Sequence, residues 1–192
     1  MKKVGVLALQ GDFEAHSQAL ARVGAEPVLA RTASDLDDLD GLIIPGGEST
    51  TMLKLMNAES MIRPLVEFGQ KRPIFGTCAG AILLASEVTH PAQQSLGLMD
   101  LTVERNAYGR QIDSRVAQLM PEPGFAQRTQ PGELEAVFIR APIIRRVGAN
   151  ATVLAAYQGD PILVEQGRHL VATFHPELGS DSRVHGLFIS KL

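Results

Sequence analysis

A chain of 192 residues, 45% hydrophobic and 20% charged, is long enough for one domain with a sizeable core and carries no compositional signature of disorder. Its formal net charge of −3, with no basic cluster, argues against a nucleic-acid partner, because neutralising phosphates needs Lys and Arg gathered on one face. The apolar run at residues 4–9 is too short to span a membrane and has no cleavage-type region behind it, and a lone cysteine without an export signal points to the reducing cytoplasm.

Residues 4–9 are continuously apolar, the pattern of a strand covered on both faces. Asp12 is placed to cap a helix over 13–23, in which Phe13, Leu20 and Val23 recur at helical spacing, and Gly24 is a natural stop. Residues 27–30 predict a second strand, 34–39 a short acidic helix or loop, and 41–44 a third, buried strand. This β-α-β-α-β order implies an α/β fold spanning 1–192 as one domain, a three-layer sandwich with a mostly parallel central sheet.

The third strand empties into Pro45-Gly46-Gly47-Glu48-Ser49-Thr50-Thr51. Loops leaving the carboxyl ends of strands build the crevice of such a sheet, and two consecutive glycines leave backbone N–H groups unshielded, which suits a developing oxyanion. A phosphate loop is disfavoured because Glu48 repels phosphate and neither glycine fingerprint for nucleotides is present. A turn before a helix capped by Ser49 is a blander reading, and the two are compatible. Helices over 50–56 and 60–68 follow, with Met52, Met56 and Met61 read as core.

Pro73-Ile74-Phe75 then runs into Gly76-Thr77-Cys78-Ala79-Gly80 and the helix-forming run at 81–85. A strand that turns this sharply into a helix needs small residues on both sides, which leaves Cys78 at the apex. There the helix dipole favours the thiolate, the nucleophilic form. Cys78 has no intrachain disulfide partner and cannot belong to a Cys-x-x-Cys metal site. The competing reading, a buried cysteine packed as a small hydrophobe, does not account for the flanking glycines.

Further along the chain, 89–95 reads as loop, 96–104 and 111–119 as strands, and the residues between them as a polar turn. Three prolines and two glycines make 121–132 a surface loop, and 134–139 is a strand closing on Arg140-Ala141-Pro142. The last third is β-rich, with runs at 153–157, 161–165 and 169–174 spaced for antiparallel hairpins, and a helix at 184–190. The final strand delivers His175-Pro176-Glu177. In extended chain these two side chains share a face, so Glu177 can hold one imidazole nitrogen and leave the other for a nucleophile. His16, His90, His169 and His185 lack such a partner and read as surface or packing residues.

Taken together, the Cys78 elbow and the later His175-Pro176-Glu177 resemble the class I (triad) glutamine amidotransferases. Within them, residues 41–50 closely resemble the signature of the glutaminase subunits of pyridoxal phosphate synthases. Residues 5–11, 103–111 and Val137-Phe138-Ile139-Arg140-Ala141-Pro142 add further matches in the same order, so that the likeness covers nearly the whole chain.

The resemblance implies hydrolysis of L-glutamine to glutamate and ammonia, with Cys78 as nucleophile, His175 as acid and base, and Glu177 orienting it. It implies an oxyanion hole at Gly47 and Ala79, and a glutamine pocket of Gly47, Glu48, Ser49, Arg105, Ile139 and Arg140. It calls for no cofactor and no metal, and it implies a (β/α)-barrel pyridoxal 5'-phosphate synthase subunit as partner, docking near residues 10–16. Two features depart from the family pattern: 121–132 is longer than usual, and the last helix stops at Leu192 where the family commonly continues. Open alternatives are a glutaminase serving another synthase such as the imidazole glycerol phosphate enzyme, a cysteine hydrolase or peptidase on the same fold, and a regulatory module with a vestigial site.

Overall fold

The structure, a computed structural model, describes residues 1–106 and 115–192. In chain order its elements are β1 (Lys3–Leu7), α1 (Phe13–Arg22), β2 (Glu26–Ala30), a 3-10 turn (Ala33–Leu36), β3 (Gly41–Ile44), α2 (Ser49–Ala58), α3 (Ile62–Lys71), β4 (Ile74–Thr77), α4 (Ala79–Leu84) and β5 (Ala85–Thr89). There follow β6 (Met99–Glu104), β7 (Arg115–Leu119), α5 (Pro123–Ala126), β8 (Leu134–Phe138), β9 (Ile143–Val147), β10 (Thr152–Tyr157), β11 (Asp160–Gln166), β12 (His169–Ala172), a second 3-10 turn (Pro176–Leu178) and α6 (Arg183–Ile189). Asp12 caps α1 as expected, its Oδ1 accepting from Ala15 N at 3.2 Å, and Gly24 follows the helix with φ +76.

Seven strands form the central sheet in the order β10-β11-β12-β4-β3-β1-β2. The block β12-β4-β3-β1-β2 is parallel throughout, and β10 and β11 extend it as antiparallel hairpins, which is the expected arrangement. Alternate residues of its strands serve two cores. Leu42, Ile44, Ile74 and Val171 face the helices α2, α3 and α4, while Ile43, Phe75, Leu170 and Ala172 face α1, α6 and the β7–β8 pair. Near-continuous apolar strands are what a parallel sheet covered on both faces requires, and they make the sandwich three layers thick.

Three details differ from the sequence expectation. The helix after Cys78 ends at Leu84, because Ala85–Thr89 pairs in parallel with β6; this strand and β9 are both additional. The stretch 121–132 is not wholly surface, since α5 buries Phe125 completely. Of the strand expected at 111–119, residues 115–119 form β7 and 111–114 lie outside the described residues. No helix among the described residues is long and apolar enough to cross a membrane.

Close packing of α4 onto the sheet depends on two glycines. A Cβ at Gly76 would lie 2.5 Å from the carbonyl of Gly80, and one at Gly80 would lie 2.1 Å from Ile44 O. Both obstacles are backbone, so helix and strand would have to separate. Gly76→Ala should therefore lower the unfolding free energy by about 1–3 kcal/mol in a denaturant titration. Gly186→Ala in α6, whose Cβ would meet nothing within 4 Å beyond the helix's own backbone, should raise it by up to ~1 kcal/mol through helix propensity.

Candidate active site

Cys78 stands where β4 ends and α4 begins. Its N–H donates to Ala172 O of β12 at 2.8 Å, while its own carbonyl accepts from Ala81 N at 3.1 Å and Ile82 N at 3.3 Å. The residue is thus tied to a neighbouring strand and to the helix it starts. Between those ties it adopts φ 47 and ψ −103, a conformation that costs a non-glycine residue roughly 1–3 kcal/mol.

The strand that receives Cys78 N also leads to His175. Three residues beyond β12, His175 N donates to Val137 O of β8 at 2.7 Å, and its Nδ1 lies 2.7 Å from Glu177 Oε1. His175 and Glu177 are both buried. Their meeting has a different cause from the one the sequence suggested. The chain is not extended here: Pro176–Leu178 forms a 3-10 turn that folds Glu177 back beneath the imidazole. Burial alone would lower the His175 pKa, but hydrogen bonds from the imidazole to Cys78 and Glu177, and the charges of both, outweigh it and raise the value to about 10. With Nδ1 on Glu177, Nε2 is the nitrogen left for the sulfur.

A cavity of about 440 Å³ opens over this pair. Gly47, Glu48, Ser49, Arg105, Ile139 and Arg140 all line it with Cys78 and His175. Ala79, the first residue of α4, and Glu177 are buried behind its wall. Gly46 roofs the reacting groups so closely that a Cβ there would lie 2.5 Å from His175 Cε1 and 3.3 Å from Cys78 Cβ. Arg140, which also lines the cavity, sits at φ 44.

The cap of α2 is Glu48 rather than Ser49. Its Oε1 accepts from Thr50 N at 3.0 Å, and its Oε2 from Thr51 N at 2.8 Å and Thr51 Oγ1 at 2.7 Å. Partial burial would raise the Glu48 pKa, but these bonds outweigh it and bring it down to about 2. Ser49 Oγ donates instead to Gln93 Oε1 at 3.1 Å. Arg105 Nη2 donates to Thr50 Oγ1 at 2.7 Å and lies 3.8 Å from Glu48 Oε1, so the cation is anchored at the rim.

Two contributors are not evident from the sequence. Gln10 lines the cavity, and its Oε1 accepts from Glu48 N at 3.0 Å, pinning the glycine loop; a Cβ on Gly47, at φ 151, would lie 2.3 Å from that oxygen. The available signal is its position just beyond β1, at the same end of the sheet as the other loops. His16, expected as a surface or packing residue, is fully buried with His185, 3.1 Å apart, and its Nε2 lies 3.0 Å from Thr77 Oγ1. Its spacing from Phe13 and Leu20 places it on the inner face of α1.

A sulfur held at a strained elbow, with a hydrogen-bonded imidazole and a buried carboxylate in line behind it, is the machinery of cysteine-dependent acyl transfer on an α/β sheet. Comparison with known proteins narrows that class. The SNO glutamine amidotransferase family matches residues 6–192, and the chain belongs to that family. It is 66% identical to the pyridoxal 5'-phosphate synthase subunit PdxT of Solibacter usitatus (strain Ellin6076) over 192 residues, all of both chains. It is 52% identical to that of Koribacter versatilis (strain Ellin345) over 190 residues, 97% of this chain and 94% of the relative. A solved structure described as a glutamine amidotransferase superposes with a TM-score of 0.89 at 43% identity, covering 98% of this chain and 97% of the other. The structure of PurLQS from Thermotoga maritima shares the fold, with a TM-score of 0.76 at 15% identity over 98% of each chain.

The strain at the elbow and the buried imidazoles both have measurable effects on stability. Cys78→Gly should be more stable than Cys78→Ala by about 1 kcal/mol, because only glycine is at ease at positive φ; paired denaturant titrations measure it. His16 is held well below its ordinary pKa by burial and by the charges of His185 and His175, while His169 and His185 are each brought down to about 4, chiefly by burial. The unfolded chain therefore binds more protons between pH 6.5 and 4, and this stability is complete above 6.5 and lost as pH falls, by on the order of 3 kcal/mol for His185 alone. His175 works in reverse, adding stability below pH 6.5 that is lost as pH rises through about 10. Unfolding free energy plotted against pH should peak near neutrality and fall on both sides.

Proposed function

We propose that this chain binds L-glutamine in the 440 Å³ cavity, hydrolyses its side-chain amide through a Cys78 thioester, and supplies the ammonia for vitamin B6 synthesis. The observation that carries the reading is the line Cys78–His175–Glu177, closed by the 2.7 Å Nδ1–Oε1 contact and open on one side to the cavity. The Cys78 sulfur attacks the amide carbon, and the oxyanion is held by the N–H groups of Gly47 and Ala79. The protonated His175 passes its Nε2 proton to the departing nitrogen, releasing ammonia and leaving the thioester. It then takes a proton from water as the water attacks that thioester, and glutamate departs as the sulfur is freed.

Arg105 and Arg140 suit the α-carboxylate of the substrate, and Glu48 suits its α-ammonium. Glu48 already accepts three hydrogen bonds, and a carboxylate has about four acceptor sites, so one remains for an ammonium. Gly47, Ser49 and Ile139 complete the pocket. No cofactor or metal takes part in this chemistry.

The chain is a subunit of a pyridoxal 5'-phosphate synthase complex that acts on glutamine, a statement supported by full-length likeness to relatives bearing that name. We read residues 1–192 as one glutamine amidotransferase domain, the receiving subunit as a (β/α)-barrel, and the setting as cytoplasmic. The lone cysteine, which forms no disulfide, supports the last point.

The test is glutamate release from glutamine, with and without the barrel synthase. Activity should rise in the presence of that synthase and should fall by at least about a thousandfold in Cys78→Ala, as removal of a nucleophile does elsewhere. Activity that survives Cys78→Ala overturns the mechanism. Ammonia delivered to an imidazole glycerol phosphate synthase in place of the barrel subunit overturns the choice of partner. Arg105→Ala should raise KM about tenfold or more through loss of a charge-assisted contact.

A further inference from the structure

Behind the triad lies a buried polar chain that the mechanism does not use. Glu177 Oε2 is buried and makes no hydrogen bond of good geometry among the described residues. It lies 3.4 Å from His16 Nε2, close enough for an ion-dipole contact although misaligned for a full hydrogen bond. The same nitrogen lies 3.0 Å from Thr77 Oγ1, one residue before the nucleophile, and His16 Nδ1 lies 3.1 Å from His185 Nε2. Among the described residues, His185 Nδ1 has no partner. The side chains of His16, His185 and Glu177 are sealed from solvent.

Two proton arrangements fit these distances. In one, His16 carries its proton on Nδ1 and donates to His185. Its Nε2 lone pair then faces the Glu177 carboxylate, and His185 Nδ1–H is left as a buried donor without an acceptor. In the other, His185 Nε2–H donates to His16 Nδ1, and His16 Nε2–H is shared between Thr77 Oγ1 and Glu177 Oε2. This leaves a single bare acceptor, His185 Nδ1, and removes the repulsion. An orphaned donor and a lone pair set against a carboxylate cost more than one bare acceptor, so the second arrangement is preferred.

We infer that His16 is a positioning residue of the glutaminase triad, its Nε2–H steadying the outer oxygen of Glu177 while His185 fixes its tautomer. Burial and the neighbouring His185 and His175 keep His16 uncharged, and burial with the Arg22 charge does the same for His185, so the pair acts as a neutral dipole. A neutral donor can hold the carboxylate without stealing its charge from His175. The carboxylate then keeps Oε1 on His175 Nδ1 and Nε2 on the sulfur. The inference rests on the glutaminase reading.

Glutamine hydrolysis by the full chain, with the barrel synthase present, should separate a donor from a filler. His16→Met fills the space without a donor and should lower kcat about tenfold or more, as loss of an outer-shell partner does at other sites, with KM within about twofold. His16→Gln can place its amide near the former Nε2 and should recover most of the loss. Nitrogen-15 spectra of the wild-type imidazoles should show His16 as the neutral Nε2–H tautomer at pH 7. An unchanged kcat in His16→Met, failure of His16→Gln to recover while folded, or an Nδ1–H tautomer would each overturn the inference. If wild type itself releases no glutamate, the glutaminase reading has failed, and the tautomer alone then decides the role of His16. The spectra also decide it should His16→Met fail to fold.

Discussion

The bond from Cys78 N to Ala172 O joins two segments of chain that are almost a hundred residues apart, and the site is a consequence of it. Parallel pairing of β4 with β12 sets Thr77 opposite Ala172, so the segments leaving the two strands emerge at the same edge of the sheet. One segment carries Cys78 and the other His175, the nucleophile and base of the proposed reaction. A register slip of one residue would turn every inward side chain of β12 outward, exchanging Leu170 and Ala172 with Val171 between two different cores. The geometry of the site and the packing of the core are therefore specified by the same ladder. Neither can drift without the other.

That coupling explains why so much of the site is legible in the chain. Continuous apolar strands, the glycines around Cys78 and the Pro45-Gly46-Gly47 loop are local signals, each with a steric reason, and the strand order they imply puts their loops at one end. Cys78, His175 and the cavity wall from Gly47 to Arg140 come together accordingly. The parts that are not legible depend on tertiary partners. Nothing local says that residues 85–89 leave a helix to pair with β6, since the pairing partner lies more than ten residues on. The cap at Glu48 wins over Ser49 because a longer side chain reaches two backbone N–H groups at once, while Ser49 finds Gln93. His175 and Glu177 pair as the sequence suggests but for a different geometric reason, a 3-10 turn in place of an extended chain.

His16 shows the limit most clearly. A histidine on the apolar face of an amphipathic helix is ordinarily packing, and the sequence offers no hint that Thr77, His185 and Glu177 converge on it from β4, α6 and the turn after β12. The helix that carries it also begins at the loop that holds the glycines: Gln10 binds Glu48 N, and Gly11 lies so close to Gly46 that a Cβ would fall 1.9 Å from its carbonyl oxygen. One element, α1 with its leading loop, thus braces the glycine loop and the Glu177 side of the site together.

The arrangement is costly to stability. Cys78 and Arg140 hold positive φ at the site, and the buried neutral imidazoles of His16 and His185 sit behind Glu177, while the buried positions of the sheet are mostly apolar. A core of Leu, Ile and Val on both faces can carry that load because its burial is worth roughly 25 cal/mol per Å², far more in sum than a few kcal/mol of local strain. The same rigidity has a chemical use. An imidazolium beside a sulfur recombines or wanders unless its ring is fixed, and here Val137 O holds its backbone, Glu177 its Nδ1, and Gly46 closes over its edge. The glycine loop closes the same space from the other side, held to α1 through Gln10 and free of side chains that would fill the space above the sulfur.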